Sequence, residues 1–223
     1  MVRFRAVSKS YRSGSTTLRV LDEVHWDIAA GEVVVLLGRS GSGKSTLLNL
    51  VSGIDLPDSG EIDVAGIALN NADDLNRTLY RRRNIGYVYQ DFNLIANLTV
   101  RDNMALPLEL NNRSGEVLEQ TQLLAQELGI EDKLDLMPDQ LSGGEQQRVA
   151  IGRALIHNPS LILADEPTGS LDRKTGLAVL EVMDRLVKST GTTLIMVTHS
   201  PEMVGEVDRL CTLRSGQIVE LDP

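Results

Sequence analysis

One segment of the sequence has the residue types and spacing of a phosphate-binding loop. Gly38–Ser45 reads G-x-x-x-x-G-K-S, after the apolar run Val33–Leu37 and before the helix-like stretch Ser45–Leu50. Glycines let the backbone approach a ligand closely, and N–H groups at a helix start attract anions. Lys44 can bind the β and γ phosphates, and the Ser45 hydroxyl can ligate Mg²⁺. A glycine-rich turn with an unrelated lysine is the alternative, which the agreement of strand, loop and helix disfavours.

Two carboxylates follow a second apolar run, Leu161–Ala164. The carboxyl end of a buried strand is where ligands bind in open α/β sheets, so Asp165 and Glu166 are expected at such an edge. Asp165 is suited to holding Mg²⁺ through water, and Glu166 to polarising an attacking water as a general base. An acidic turn without chemistry is the alternative, and it is weak beside a phosphate loop.

Three more side chains occupy positions where a nucleotide could be contacted. A strand is predicted from Ile85 to Gln90, and Gln90 at its end offers an amide to Mg²⁺ or to the attacking water. His199 follows the run Thr193–Thr198, and a neutral imidazole there can donate a hydrogen bond to the γ phosphate. Tyr11 opens a polar segment that we interpret as a turn, from which it could stack on adenine; without the other motifs, a partly exposed turn tyrosine would be the better interpretation.

A second helix start has the composition of an anion site. In Leu141–Gln147, Ser142 and Glu145 have the spacing of a capping box, with Gly143 and Gly144 between them. A capping box needs no glycines, and each costs about 1 kcal/mol of helix stability relative to alanine. Close backbone approach to an anion would explain them. If this helix start lies too far from the phosphate loop to share one nucleotide, a second copy must supply it, which predicts a head-to-tail homodimer or pseudodimer with ATP between subunits.

The composition of the chain indicates which classes of protein it can belong to. The chain has 223 residues, 42% hydrophobic, and a net charge of −9, which is typical of a globular protein and argues against nucleic acid as the main partner. Its one cysteine, Cys211, suits a reducing compartment. We find no signal peptide and no window near the roughly 18 apolar residues of a membrane span. These features predict a cytoplasmic protein, free or peripheral to a membrane.

The order of elements predicts an α/β fold. Strand patterns precede and follow a helical block, so a sheet interrupted by a helical insertion is expected, with N-terminal hairpins forming a smaller antiparallel sheet. Within the block, Thr99 should cap one helix, Val117–Leu128 should form another that ends at Gly129, and Ser142–His157 a third. A helix over Leu177–Lys188 and a terminal hairpin around Arg214–Gly216 complete the pattern.

Taken together, the motifs resemble the ATP-binding subunit of ABC transporters over essentially the whole chain. The resemblance implies a RecA-like P-loop core with an N-terminal antiparallel β subdomain and an inserted α-helical subdomain. The single domain, 1–223, would have its core in 1–90 and 158–223 and its helical subdomain in 91–157. The matching motifs are Walker A (Gly38–Ser45), the Q-loop (Gln90), the signature (Leu141–Gln147), Walker B (Leu161–Glu166), the D-loop (Ser170–Asp172) and the switch histidine (His199).

The resemblance also implies an ATPase that uses ATP and Mg²⁺. Catalytic roles would fall to Glu166, His199, Gln90 and Lys44, and Mg²⁺ ligation to Ser45, Gln90 and Asp165. The nucleotide would contact Tyr11, Gly38, Arg39, Ser40, Gly41, Ser42, Gly43, Lys44, Ser45, Thr46, Ser142, Gly143, Gly144 and Asp172.

Further segments resemble the LolD/MacB type, which includes lipoprotein-release, macrolide-efflux and peptide-resistance systems that work by mechanotransmission. They include Arg81–Gly86, Asp91–Leu94 and Ala164–Asp172. A homodimer formed on ATP binding and a separate integral membrane permease are implied, with the chain on the cytoplasmic face of the inner membrane. The permease would contact an apolar surface made by Phe92, Leu94, Ile95 and Leu98, unless some of these are buried. A non-transport ABC ATPase acting on nucleic acid or ribosomes is the alternative.

Overall fold

The protein divides into two compact units. The computed structural model describes residues 1–14, 16–39, 41–204 and 207–221. The first unit comprises Met1–Arg81 and Thr193–Pro223, and the second Arg82–Thr192. The division into a core and a helical subdomain, with the boundaries given above, stays a prediction.

Ten strands and six α-helices occur in the described ranges. The strands are β1 (Val2–Ser13), β2 (Thr16–Ile28), β3 (Val33–Leu37), β4 (Ser59–Val64), β5 (Ile67–Ala68), β6 (Ile85–Val88), β7 (Leu161–Asp165), β8 (Thr193–Thr198), β9 (Arg209–Arg214) and β10 (Gln217–Leu221). The helices are α1 (Lys44–Val51), α2 (Asp74–Asn84), α3 (Val100–Leu110), α4 (Val117–Leu128), α5 (Gly143–Leu155) and α6 (Arg173–Thr190).

The first unit contains an antiparallel sheet in the order β2-β1-β4-β5. From Val24 to Ile28, alternate residues of β2 are buried, as expected for a strand with one face in the core. Phe4 of β1 meets Trp26 of β2 edge to face, with ring centroids 6.0 Å apart. The predicted N-terminal antiparallel sheet is therefore present.

The first unit also contains parallel strands that position the phosphate loop. Strand β3 pairs in parallel with β8 and with β9, and β9 pairs antiparallel with β10. Leu37 lies opposite Thr198, so β3 and β8 end at the same edge. Consequently Gly38 and His199, the next residues of the two strands, emerge side by side.

The second unit packs helices around a parallel pair, β6 and β7. Thr99 caps α3, since its Oγ1 accepts from Asp102 N at 3.1 Å, and Gly129 ends α4 with a φ of 64°. Helix α5 lies so close to β6 that a Cβ on Gly86 would be 2.1 Å from Ala154 O. The predicted caps and the bounds of α4 are confirmed, whereas α5 ends at Leu155, two residues before the predicted end at His157. The parallel strands with helices confirm an α/β fold.

Three further local predictions were wrong. Tyr11 lies in β1 opposite Leu18, rather than in a turn, because the β1–β2 hairpin extends to a turn at Gly14. Strand β6 ends at Val88, so Gln90 follows the strand by two residues. Helix α6 begins at Arg173, earlier than the apolar pattern indicates, because Asp172 caps it.

Candidate active site

The phosphate loop lies in the first unit, between β3 and α1. Gly43 has a φ of 100°, which favours glycine, and a Cβ there would lie 2.3 Å from Cγ1 of Val20. At the other end of the loop, Gly38 N donates to Thr198 O at 3.2 Å. The loop is therefore fixed at both ends, to β8 and to the antiparallel sheet, and it opens directly into the N-terminus of α1.

Lys44 is buried and folds onto its own loop. Its Nζ donates to Gly38 O at 2.7 Å and to Arg39 O at 3.0 Å. The neighbouring Ser42 Oγ is buried and has no hydrogen-bond partner in the described part of the chain. A buried ammonium and an unpaired hydroxyl in a glycine loop fit a phosphate ligand, which would accept from both. Of the predicted loop residues, Ser40 lies outside the described residues.

Two other predicted side chains lie in the first unit. Tyr11 is 38% exposed, and its hydroxyl donates to Asp55 Oδ2 at 2.7 Å. Burial raises the pKa of Tyr11, and the hydrogen bond to Asp55 adds to the rise, so the phenol stays protonated. Lys9 Nζ lies 5.2 Å from the ring centroid. These contacts hold the ring in place while leaving part of it exposed, as stacking requires. His199 is exposed just after β8.

The carboxylates lie in the second unit. Asp165 ends β7, and Glu166 follows it with a φ of 48°, a left-handed conformation that is uncommon outside glycine. Gly169 N donates to Glu166 O at 2.9 Å and closes the turn. The Gln90 side chain packs against Gly169, where a Cβ would lie 2.9 Å from its Cδ. Gln90 is therefore held beside the segment that follows the predicted general base.

The second helix start, which the sequence predicts to bind an anion, is also in this unit. Ser142 Oγ and N both bond Glu145 Oε2, at 2.7 and 2.8 Å, which confirms the predicted capping box. The bonds from Ser142 lower the pKa of Glu145, so its carboxylate stays ionised. A Cβ on Gly144 would lie 2.5 Å from Thr175 Cγ2, and one on Gly143 would lie 3.1 Å from Leu171 Cδ2. Packing against α6 therefore explains why position 144 needs a glycine, independently of any ligand.

Asp172, predicted to contact nucleotide, caps α6. Its Oδ1 accepts from Thr175 N at 3.1 Å and its Oδ2 from Thr175 Oγ1 at 2.5 Å. These bonds from Thr175 lower the pKa of Asp172. The carboxylate is exposed, so it presents a negative charge at the start of α6.

The oxygen donors predicted for Mg²⁺ are a hydroxyl, an amide and a carboxylate. Groups of three or more His, Cys, Asp or Glu residues that could hold a metal are absent from the described ranges. This composition fits Mg²⁺, which takes few protein ligands when phosphate oxygens and waters supply the others. It does not fit a metal held by protein side chains alone.

Comparison with known proteins identifies the family. Residues 21–169 match the family model described as ABC transporter. The chain belongs to the ABC transporter family. An uncharacterized ABC transporter ATP-binding protein of Mycobacterium tuberculosis is 49% identical over 222 residues, covering 98% of this chain and 89% of the relative. The lipoprotein-releasing system ATP-binding protein LolD of Nitrobacter winogradskyi is 41% identical, covering 97% of this chain and 94% of LolD.

Two further matches complete the assignment. The macrolide export ATP-binding/permease protein MacB of Rhodopirellula baltica is 42% identical, with 99% of this chain matching 33% of that protein. A solved dimer of the ATP-binding cassette MJ0796, bound to ADP and Pi, has a TM-score of 0.89 and 38% identity, covering 100% of both chains. The ABC ATPase fold is thus confirmed. This ABC protein is an ATP-binding, ATP-hydrolysing subunit, and the non-transport alternative is not favoured.

Proposed function

We propose that this ABC ATPase dimerises around two Mg·ATP and drives a separate membrane protein of the lipoprotein-release or macrolide-export type. The observation that carries the proposal is the presence, in one chain, of a phosphate loop with a buried Lys44 and a second exposed helix start at Ser142. Either could hold a phosphate group, and one nucleotide needs only one such loop. The second helix start is then available to a nucleotide held by another copy.

Nucleotide binding is assigned to residues of the first unit. Backbone N–H groups of Gly38–Ser45 and the start of α1 at Thr46 bind phosphate oxygens, with Lys44 and Ser42 as side-chain donors. Tyr11 stacks on adenine through its exposed ring, which the bond to Asp55 orients. Arg39 and Ser40 belong to the same loop by sequence.

Hydrolysis is assigned to groups that act on the attacking water and the γ phosphate. Glu166 accepts the proton of the water as general base, Gln90 orients the water, and His199 donates a hydrogen bond to the γ phosphate. Ser45, Gln90 and Asp165 would hold Mg²⁺, which neutralises charge on the β and γ phosphate oxygens when bound. Ser142, Gly143, Gly144 and Asp172 would come from the second copy and close the site.

The binding site for the membrane partner is assigned to a cavity in the second unit. The cavity measures about 380 Å³, and its apolar lining includes Tyr87, Ile95, Leu106, Pro107 and Leu110. Tyr87 stacks on Tyr89 with ring centroids 4.1 Å apart. Two arginines, Arg82 and Arg153, also line it, and none of its described lining residues is acidic. This chemistry suits a short apolar segment of the partner that carries a carboxylate or a helix C-terminus.

Arg153 fixes the loop at the rim of this cavity. Its guanidinium donates to Phe92 O at 2.9 Å and to Asn93 O at 2.6 Å. Phe92 and Asn93 both have positive φ, 61° and 49°, so the bonds to Arg153 stabilise a strained backbone. Of the four residues predicted to contact the permease, Ile95 is exposed, and Phe92, Leu94 and Leu98 are half-buried. Ile95 is therefore the best candidate for a direct contact.

Association with the cytoplasmic face of the inner membrane would come through this partner. None of the helices in the described ranges is long and apolar enough to cross a membrane. The relatives named for lipoprotein release and macrolide export favour the mechanotransmission type.

The proposed function is tested by hydrolysis with and without metal. The purified chain should hydrolyse ATP in Mg²⁺ and lose activity in a chelator, and Glu166→Gln should lower the rate about 100-fold or more while ATP remains bound. A near wild-type rate for Glu166→Gln would contradict the assignment of the base. Recovery of the tagged chain with ribosomes or nucleic acid, instead of with a detergent-solubilised membrane protein, would contradict the transport assignment.

A further inference from the structure

One buried side chain connects the segments that carry two of the proposed catalytic residues. Gln147, on the first turns of α5, is 0% exposed. Its Nε2 donates to Pro167 O at 2.6 Å and to Tyr89 O at 3.3 Å. Pro167 directly follows Glu166, and Tyr89 directly precedes Gln90. A single amide therefore links both segments to the helix that starts at Ser142.

Two further contacts fasten the same segments to each other. Ser170 Oγ donates to Asp91 Oδ1 at 3.2 Å. The Gln90 side chain packs against Gly169 with no space for a Cβ between them. The backbone stretches 89–91 and 166–170 thus form one assembly within the second unit. Because it bonds both stretches, Gln147 is a point at which α5 can displace this assembly.

The hydrogen bonding of Gln147 is incomplete. Both of these hydrogen bonds use Nε2, and the buried Oε1 has no partner in the part of the chain that the structure describes. A buried acceptor without a partner is destabilising, so this arrangement of the amide is not held as tightly as a fully bonded one. Since α5 is one rigid helix, movement of its capped start moves Gln147 with it.

We propose that Gln147 is a positioning residue. Through it, binding of a nucleotide at the N-terminus of α5 changes the positions of Glu166 and Gln90. The inference rests on the proposed function, in which the nucleotide of a second copy binds at Ser142–Gly144. Gln147 touches neither nucleotide nor water. It positions the backbone of the general base, Glu166, and of the water-orienting amide, Gln90. Hydrolysis therefore proceeds once the nucleotide of a second copy is bound.

The test compares Gln147→Met with Asn103→Leu. Methionine keeps the length and packing of glutamine and removes the donors. Asn103 is an equally buried amide of the same unit, whose Nδ2 bonds the backbone of Ile95, Leu98 and Thr99. We expect Gln147→Met to lower kcat about 10- to 100-fold, since small misplacements of catalytic groups have effects of this size. Nucleotide affinity of the monomer should change by less than about twofold, because the phosphate loop is untouched.

Melting temperatures show whether a loss of kcat comes from misplaced catalytic groups or from loss of folded protein. Both variants should melt earlier than the parent, and Asn103→Leu should keep its kcat at a temperature where both are folded. Equal losses of kcat in the two variants, or a kcat within about twofold of the parent for folded Gln147→Met, would overturn the proposal. If Gln147→Met does not fold, Ser170→Ala acts on the same assembly from an exposed position, and an unchanged kcat in that variant would overturn it instead.

A separate measurement keeps this proposal apart from the proposed function. Glu166→Gln is examined for ATP-dependent dimerisation by light scattering. Suppose that Glu166→Gln dimerises in ATP. If adding Gln147→Met raises the ATP concentration needed for half-maximal dimerisation by about tenfold, the positioning role is supported. If Glu166→Gln alone stays monomeric in ATP, the dimer model itself fails, whatever Gln147 does.

Discussion

Gly144 and Thr175 are packed so closely that no side chain fits between them: a Cβ on Gly144 would lie 2.5 Å from Thr175 Cγ2. We therefore expect Gly144→Ala to lower the free energy of unfolding by about 1–3 kcal/mol through overpacking. Thr175→Ser removes the methyl group and retains the hydroxyl that bonds Asp172. The double variant should regain most of the lost stability in urea unfolding.

The same pair of variants separates packing from ligand binding. If Gly144 also serves an anion, the stable double variant should still hydrolyse ATP more slowly than Thr175→Ser alone. Equal rates would mean that packing is the whole reason for this glycine. If Gly144→Ala alone is as stable as the parent, the overpacking argument is contradicted.

Lys44 should carry much of the nucleotide affinity. Its buried ammonium is held on the loop by two carbonyl groups and offers a charged donor to phosphate. We expect Lys44→Ala to weaken ATP binding about 10- to 100-fold, the usual effect of losing a charge-assisted hydrogen bond. Titration of a fluorescent ATP analogue measures this. Lys188→Ala, which removes an exposed lysine paired with Asp184, is the control and should bind as the parent does.

Ile95 should matter for partner binding and not for fold. It is 38% exposed at the cavity of the second unit. Ile95→Asp should reduce co-purification with the detergent-solubilised membrane partner, since a carboxylate would be desolvated against apolar groups. Leu118→Asp, on α4, is the control because Leu118 is 71% exposed and does not line the cavity. If both variants retain the partner equally, the cavity is not the contact surface.

His157 should make stability depend on pH. Its Nε2 donates to Ile85 O at 3.1 Å, and its buried Nδ1 has no partner within the described ranges. Burial lowers the pKa of His157, so the folded imidazole stays neutral where the unfolded one, with a pKa of about 6.5, gains a proton. The unfolded state then binds more protons, and the free energy of unfolding falls as pH drops below that value.

Urea unfolding at about pH 7.5 and about pH 5.5 measures this effect, because the interval spans the ordinary histidine pKa. His157→Gln keeps an N–H donor for Ile85 and cannot titrate. The variant should lose less stability on acidification than the parent does. The same loss in both proteins would show that another group causes the acid sensitivity.

Features set by local sequence could be predicted, and features set by distant contacts could not. Thr99, Ser142 and Gly129 were identified correctly because caps depend on residues within one helical turn. Tyr11 was misplaced because a long, bulged hairpin with its turn at Gly14 looks polar over its exposed end. Gln147 was included in the predicted signature, but its contacts were not predicted, since its partners lie 58 and 20 positions away along the chain and an amide within a helix has no pattern that reveals them.

The central claim, that a second copy completes each nucleotide site, is tested most directly by complementation. Two variants are made in the Glu166→Gln background and compared at an ATP concentration that Lys44→Ala does not bind appreciably. Lys44→Ala impairs binding of a chain's own nucleotide, and Ser142→Arg prevents a chain from closing the nucleotide site of another copy. A mixed dimer contains one intact site, formed by Lys44 of one chain and Ser142 of the other. Our account predicts that each variant alone stays monomeric in ATP and that the mixture dimerises, as seen by light scattering. A mixture that stays monomeric, while Glu166→Gln alone dimerises, would contradict it.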